Sequence, residues 1–239
     1  ARITTILLFS AIASATCGSA RSAEAPPSFV RSWGTVGSGP GQFYGPTAIG
    51  GDAAGNIYVS DGLNNRIQKF DANGNFLLQW GSLGTGPGQL WFPWGIDCDA
   101  AGNVYVSDLD NYRIQKFTGS GQFLKQWGSN GTGPGQWSNA PFLAIDELDQ
   151  VYLGDGVNRR IQKFDSNGNL LEVWDTPDFA ARGMAAAGGR VFAVDGIQSQ
   201  IRVFDTHGNV QGTLGSEGYG YGQLYRPWDV EPDDAGNLY

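Results

Sequence analysis

The 239-residue chain carries 15 basic and 23 acidic residues, a formal charge of −8 at pH 7. That balance argues against a general nucleic-acid binder, which needs positive potential to displace the counterions of a phosphate backbone. Glycine is abundant at 37 residues, but it clusters at recurring places, which marks turn chemistry in a many-stranded chain rather than low complexity.

Residues 1–25 have the layout of a cleavable export signal. Arg2 supplies a positive start, residues 3–15 form a short apolar run, and small residues follow at Ala13-Ser14-Ala15, Gly18-Ser19-Ala20 and Ala23-Glu24-Ala25. The run is too short for a comfortable membrane span, so a secreted or periplasmic location is expected. Cys17 is a poor candidate for lipid anchoring, because Ser14 and Thr16 stand where Leu and a small residue are preferred. With that segment removed Cys98 is alone, so no intramolecular disulfide is expected. No histidine lies near Cys98 in sequence, and it reads as a small buried hydrophobe on a strand.

From residue 26 onward the chain reads as one repeating domain. Residues 26–28 are a linker, and Phe29-Val30-Arg31-Ser32-Trp33-Gly34 aligns with Phe76-Leu77-Leu78-Gln79-Trp80-Gly81 and with residues 123–128. It is expected to be the last strand of a repeat whose earlier strands do not precede it, as when a ring is closed by both chain ends. The stretch Gly55-Asn56-Ile57-Tyr58-Val59-Ser60-Asp61, with Arg66-Ile67-Gln68-Lys69-Phe70, then returns at residues 102–117 and 151–164. Both steps are 47 residues, from Asp61 to Asp108 and from Asp108 to Asp155. A looser copy follows at Asp195, 40 residues on, and a fifth begins at Gly236-Asn237-Leu238-Tyr239. Each unit offers four strand signals: a short one such as residues 95–98, then 56–60, 66–70 and 76–80, rich in β-branched and aromatic residues. Asp71-Ala72-Asn73-Gly74-Asn75 joins the last two as a hairpin turn in which Asn-Gly supplies positive φ. Its alternating oxygens do not make an EF-hand, since the acidic twelfth position is missing. Four short antiparallel strands per unit of about 45 residues describe a propeller blade.

Gly86-Pro87-Gly88-Gln89-Leu90, Pro93, Gly95-Ile96, Asp99, Gly102-Asn103-Val104-Tyr105-Val106, Asp108, Asn111, Arg113-Ile114-Gln115-Lys116-Phe117 and Trp127-Gly128 resemble the NHL repeat. The resemblance implies an all-β fold, a β-propeller of four-stranded antiparallel blades that is most often six-bladed. Repeats are expected over residues 46–82, 93–129, 141–175, 181–216 and 227–239, about four and a half blades. Closing five blades would take about 12 further residues and six about 59, and there is no initiator Met, so the sequence reads as a fragment of a longer frame.

In an array, residues present in every copy serve the fold, and positions that vary are free for ligands. The pairs Asp61/Arg66, Asp108/Arg113 and Asp155/Arg160 are read as charge-assisted bonds that fix the turn between the second and third strands. Asp195 with Gln200 suggests that one blade dispenses with the pair. Gly84-Thr85-Gly86-Pro87-Gly88 is not a phosphate loop, because no Gly-Lys-Ser/Thr and no helix follow. Trp33, Trp80, Trp127 and Trp174 are read as packing between blades. The variable positions lie just after the proline of each inter-blade loop: Thr47, Trp94, Phe142, Arg182 and Trp228. With Tyr112 and Arg159 in the neighbouring corner, they form the expected ligand site at the channel mouth, suited to stacking on a sugar, a peptide side chain or a cation.

Enzyme relatives suggested by the resemblance are zinc-dependent amidating lyases and lactonase-like or virginiamycin-type propellers. The single histidine, His207, sits in a hairpin turn on the opposite face, so a histidine-rich zinc site cannot be assembled. The inner-strand acids Asp97 and Asp146 are read as equivalent and structural, which leaves Asp229 and Glu231 unexplained. No metal or other cofactor is called for. The expected function is a secreted or periplasmic platform, a monomeric domain that binds a protein, peptide or glycan ligand, with neither nucleic acid nor a membrane span involved. The alternative is a propeller lyase or hydrolase whose catalytic and metal residues lie in further blades.

Overall fold

The computed structural model describes residues 31–138, 142–233 and 237–239. The export-signal segment with Cys17, the linker, and Phe29 and Val30 lie outside the described residues. Two short strands, β1 (Thr35–Val36) and β2 (Gln42–Phe43), pair in parallel around a glycine-rich loop. Four antiparallel four-stranded sheets follow, each with its strands in sequence order. The first blade is β3 (Pro46–Gly51), β4 (Ile57–Asp61), β5 (Arg66–Phe70) and β6 (Phe76–Trp80). The second is β7 (Pro93–Cys98), β8 (Val104–Asp108), β9 (Arg113–Phe117) and β10 (Phe123–Trp127). The third is β11 (Phe142–Ile145), β12 (Val151–Asp155), β13 (Arg160–Phe164) and β14 (Leu170–Asp175). The fourth is β15 (Ala181–Ala187), β16 (Arg190–Asp195), β17 (Gln200–Asp205) and β18 (Val210–Leu214). This is the all-β propeller expected from the 47-residue period, and the inner strands β3, β7, β11 and β15 are neighbours in that order.

The second strands are buried on both faces, with every residue of β8 and β12 inside, whereas the outer strand β6 alternates half-buried and exposed residues. The core therefore lies in seams between blades. Tyr58 and Ile67 of the first blade pack with Leu90, Ile96, Val104, Val106 and Phe117 of the second, and the same register recurs between the second and third blades. Each outer-strand tryptophan reaches the next blade's phenylalanine: Trp80 to Phe117 at 5.8 Å, Trp127 to Phe164 at 6.2 Å, Trp174 to Phe204 at 5.9 Å. Burial of these rings is the main favourable term in an array whose units touch only their neighbours. Trp33 packs on Phe70 in the same way, at 6.2 Å, although residues 31–34 form no strand. The expected strand there is not found over its described part, and only its side-chain role survives.

The hairpin turns are built as expected. Asp71 Oδ1 accepts from the backbone N–H groups of Asn73 and Asn75, and Gly74 takes φ +79. Cys98 packs against the seam of the first two blades, and burial pushes its thiol up, out of the reactive range. Among the described residues, no helix is long and apolar enough to cross a membrane.

Candidate functional site

The aspartate–arginine pairs are buried ion pairs, with Nε–Oδ2 distances of 2.8, 2.7 and 2.9 Å in the first three blades. Their partners extend well beyond the corner. Arg113 donates Nε to Asp108, Nη1 to Thr85 O and Gln126 Oε1, and Nη2 to Gly86 O and Gln89 O. All five guanidinium donors are used. Arg66 repeats the set on Ser38, Gly39 and Gln42, and Arg160 on Thr132, Gly133 and Gln136. The glycine-rich loop thus turns its carbonyls toward a cation, the reverse of a phosphate loop. In the fourth blade the pair is displaced, not dispensed with. Gln200-Ile201-Arg202 inverts the Arg-Ile-Gln order, and Arg202 lies 2.7 Å from Asp178 and 3.7 Å from Asp195.

The positions after each inter-blade loop do converge. Pro93 pairs with Asp108 at the end of β8, so the residue that follows it stands at the channel end that carries the corner turns. Trp94 meets Phe142 at 6.3 Å and Phe142 meets Trp228 at 6.1 Å, both edge to face, and the Arg182 guanidinium lies 5.1 Å from the Trp228 ring centre. Three blades and the 226–233 segment so contribute to one lip. Phe142 is buried, whereas Trp228 is 52% exposed. Phe92, which sequence reading passed over, extends the row to Trp94 at 5.6 Å. Thr47 points its hydroxyl back to Pro93 O and Trp94 O. Tyr112 and Arg159 stand at left-handed corner positions, φ 54 and 52. Tyr112 packs into the seam between the second and third blades, and Arg159 donates to Pro177 O at 3.1 Å.

Beneath Phe142 the inner strands enclose a cavity of about 540 Å³. Its lining is mixed: Ile49, Ile96, Leu143 and Met184 supply apolar wall, and Asp97, Glu147, Asp229, Glu231 and Asp233 stand against one cation, Arg190. The expected equivalence of Asp97 and Asp146 is wrong. Asp97 pairs with Tyr105 and Ala144 with Tyr152, so Asp97 shares its position with Ala144. Asp146 instead matches Asp99, each accepting from a tyrosine hydroxyl six residues on. Pro232 bridges Leu238 as Cys98 pairs with Val104, which puts Glu231 at the Asp97 position. Asp97 accepts from Cys98 N and Ile145 N, and Asp229 from Val230 N.

Burial lifts Asp97 and Asp229 to about 6, and burial together with the charges of those two neighbours lifts Glu231 to about 8. Asp229 and Glu231 are themselves exposed to solvent, so the crowding of surrounding protein and mutual repulsion, not sealing from water, give these shifts their upward direction. Glu231 keeps a proton up to about pH 8 when folded but releases it near its ordinary 4.5 when unfolded. The folded state binds the extra proton between those values, so stability falls as pH rises through that window. The melting temperature is expected to be higher at pH 5 than at pH 8, with the fall above pH 6 flattened in Glu231→Gln. An unchanged slope in that variant would show that Glu231 is not the group responsible. Among the described residues, no group of three His, Cys, Asp or Glu is placed to hold a metal ion.

The profile of the NHL repeat matches residues 90–117. Solved structures of similar fold include a streptogramin B lyase, 17% identical with a TM-score of 0.61 over 81% of this chain and 61% of that one. The chain is a β-propeller whose second blade matches the NHL repeat. A virginiamycin B lyase from Staphylococcus aureus is 15% identical with a TM-score of 0.62 over the same shares, 81% and 61%. A protein of unknown function from Bacteroides caccae is 13% identical, TM-score 0.59, over 79% and 67%. No curated protein matches the sequence. At these identities the likeness to solved structures shows the fold alone, and the chain spans about three fifths of the two lyases. The matched NHL segment runs from Leu90 to Phe117, so it covers the first three strands of the second blade and its Asp108–Arg113 pair, an arginine latch on the preceding loop. It includes Phe92, Trp94 and Tyr112 but not Phe142, Arg182 or Trp228.

Proposed function

We propose that this NHL propeller is an exported binding platform that takes a protein, peptide or glycan segment at the lip of its channel. The observation that carries the reading is the contact of Trp94, Phe142 and Trp228, drawn from different blades, with Arg182 on the outermost ring. Rings held in this way lose little entropy on binding, and an exposed tryptophan beside a guanidinium is a common energetic centre of an interface. The acidic channel below and the charge of −8 favour ligands with basic groups. Arrays of basic and neutral peptides and of glycans, probed with labelled protein, supply the ligand. Trp228→Ala and Trp94→Ala are expected to weaken its binding by about 10–30-fold with unchanged circular dichroism. Undiminished binding in both folded variants would remove the site.

A lyase or hydrolase is the second reading, favoured by Asp97, Asp229 and Glu231 meeting in one cavity with pKa values pushed apart, as acid–base pairs require. Turnover of a captured ligand that is lost in Glu231→Gln while binding persists would bring this reading forward.

A further inference from the structure

Three blades join one loop to one arginine, and the fourth blade shows that the two go together. The connector from Trp80 to Pro93 spans 13 positions, and that from Trp174 to Ala181 only 7. The shorter connector lacks the Gly-x-Gly-x-Gly-Gln loop, and its blade opens the third strand with Gln200 in place of arginine. The next connector, Leu214 to Pro227, spans 13 positions again and restores the loop as Gly218-Tyr219-Gly220-Tyr221-Gly222-Gln223-Leu224.

This loop is shaped like the other three. Gly218 N donates to Leu224 O at 3.0 Å, as Gly84 N does to Leu90 O at 3.2 Å, and Gln223 N donates to Gly220 O at 3.0 Å, as Gln89 N does to Gly86 O at 3.1 Å. Gln223 Oε1 accepts from Gly220 N at 2.8 Å, the same clamp that Gln89 makes with Gly86. Gly222 takes φ +73, against +78 at Gly88, and Glu217 bridges Leu224 in parallel as Leu83 does Leu90. The bonds that shape the loop are internal to it, so its form does not depend on a bound side chain. The carbonyls of Tyr219, Gly220 and Gln223 correspond to those of Thr85, Gly86 and Gln89, which receive Arg113.

We propose that the 217–224 loop is a preorganised guanidinium site, and that its ligand is the arginine opening the third strand of an adjoining NHL blade. Three carbonyls set for a planar fork select arginine over lysine, whose ammonium offers a single point of charge. Tyr219 and Tyr221 stand where the second blade's loop has Thr85 and Pro87, and all four are exposed, so these side chains leave the carbonyls free to face the arginine.

The test extends the full chain. Tyr239 aligns with Tyr105, so a copy of residues 106–128 is appended after Tyr239 in three versions: unchanged, with Arg113→Lys, and with Arg113→Gln in the appended copy. Hydrogen exchange of segment 215–225 is compared with that of β4, β8 and β12, which report the integrity of the existing blades. At least tenfold greater protection of the loop is expected for the arginine version than for the glutamine version, with lysine nearer to glutamine. Equal protection in the arginine and glutamine versions, whether high or low, overturns the assignment.

Discussion

Replacing Arg113 with glutamine is expected to destabilise the propeller by about 3–5 kcal/mol in urea unfolding, the cost of breaking a buried pair from one side. Asp108 is fully buried, and its Oδ2 accepts from Asn111 and Gln115 as well as Arg113. The two amides remain in the variant, but they are neutral and cannot balance the charge. Thr85 O, Gly86 O and Gln89 O also lose their donor, so the loop of residues 84–90 should exchange its amides faster than β8 itself. Damage should centre on the second blade and its two seams, because each unit touches only its neighbours. Exchanging the two ends of the triplet, Arg113→Gln with Gln115→Arg, copies the order of the fourth blade but is not expected to rescue. Arg202 works there against Asp178 and the Phe179 ring, 4.4 Å away, on a connector that the second blade does not have. A loss below about 1 kcal/mol, the range of an exposed salt bridge, would show that the corner is open to water.

The period, the turns and the tryptophan seams were legible in the sequence because each rests on local spacing. Tyr58, Trp80 and Phe117 recur with their blades, and Gly74 lies where a hairpin needs positive φ. The lip was legible for the opposite reason, since Thr47, Trp94, Phe142, Arg182 and Trp228 differ where the frame does not. The arginine latch was only half visible. Its aspartate is five residues away, but its three carbonyls lie 24 to 28 residues upstream, and nothing in a glycine-rich loop announces which way its carbonyls point. The channel acids were visible in the sequence but not joined, through an error of register: Asp97 reads as structural, and Asp229 and Glu231 stand unexplained. The 47-residue step places Asp97 with Ala144 and Asp99 with Asp146, so matching Asp97 to Asp146 by residue type joined a channel position to a turn position. Once the strands are paired, Gly50, Asp97, Ala144, Ala185 and Glu231 form one variable inner-strand position, and acids there stand out.

Gly168→Ala is expected to cost about 2–4 kcal/mol, more than a turn glycine alone accounts for. Two separate demands meet at this residue. Its φ of +76 disfavours any side chain by about 1 kcal/mol. A methyl group would also lie 2.5 Å from Trp127 Cδ2, inside contact distance, and overpacking of this kind costs about 1–3 kcal/mol. The ring cannot swing away freely, because it is held against Phe164 and Tyr105 at 6.2 Å each. The two terms separate in a double-mutant cycle with Trp127→Ala, which removes the obstructing ring. In that background Gly168→Ala should cost only about 1 kcal/mol, leaving a coupling of about 1–3 kcal/mol between sites on adjacent blades. Additive behaviour would mean that the glycine serves the hairpin alone. Strong coupling would mean that the turn of one blade is shaped to receive the tryptophan of the blade before it, so that hairpin chemistry and blade stacking are one constraint read twice in the sequence.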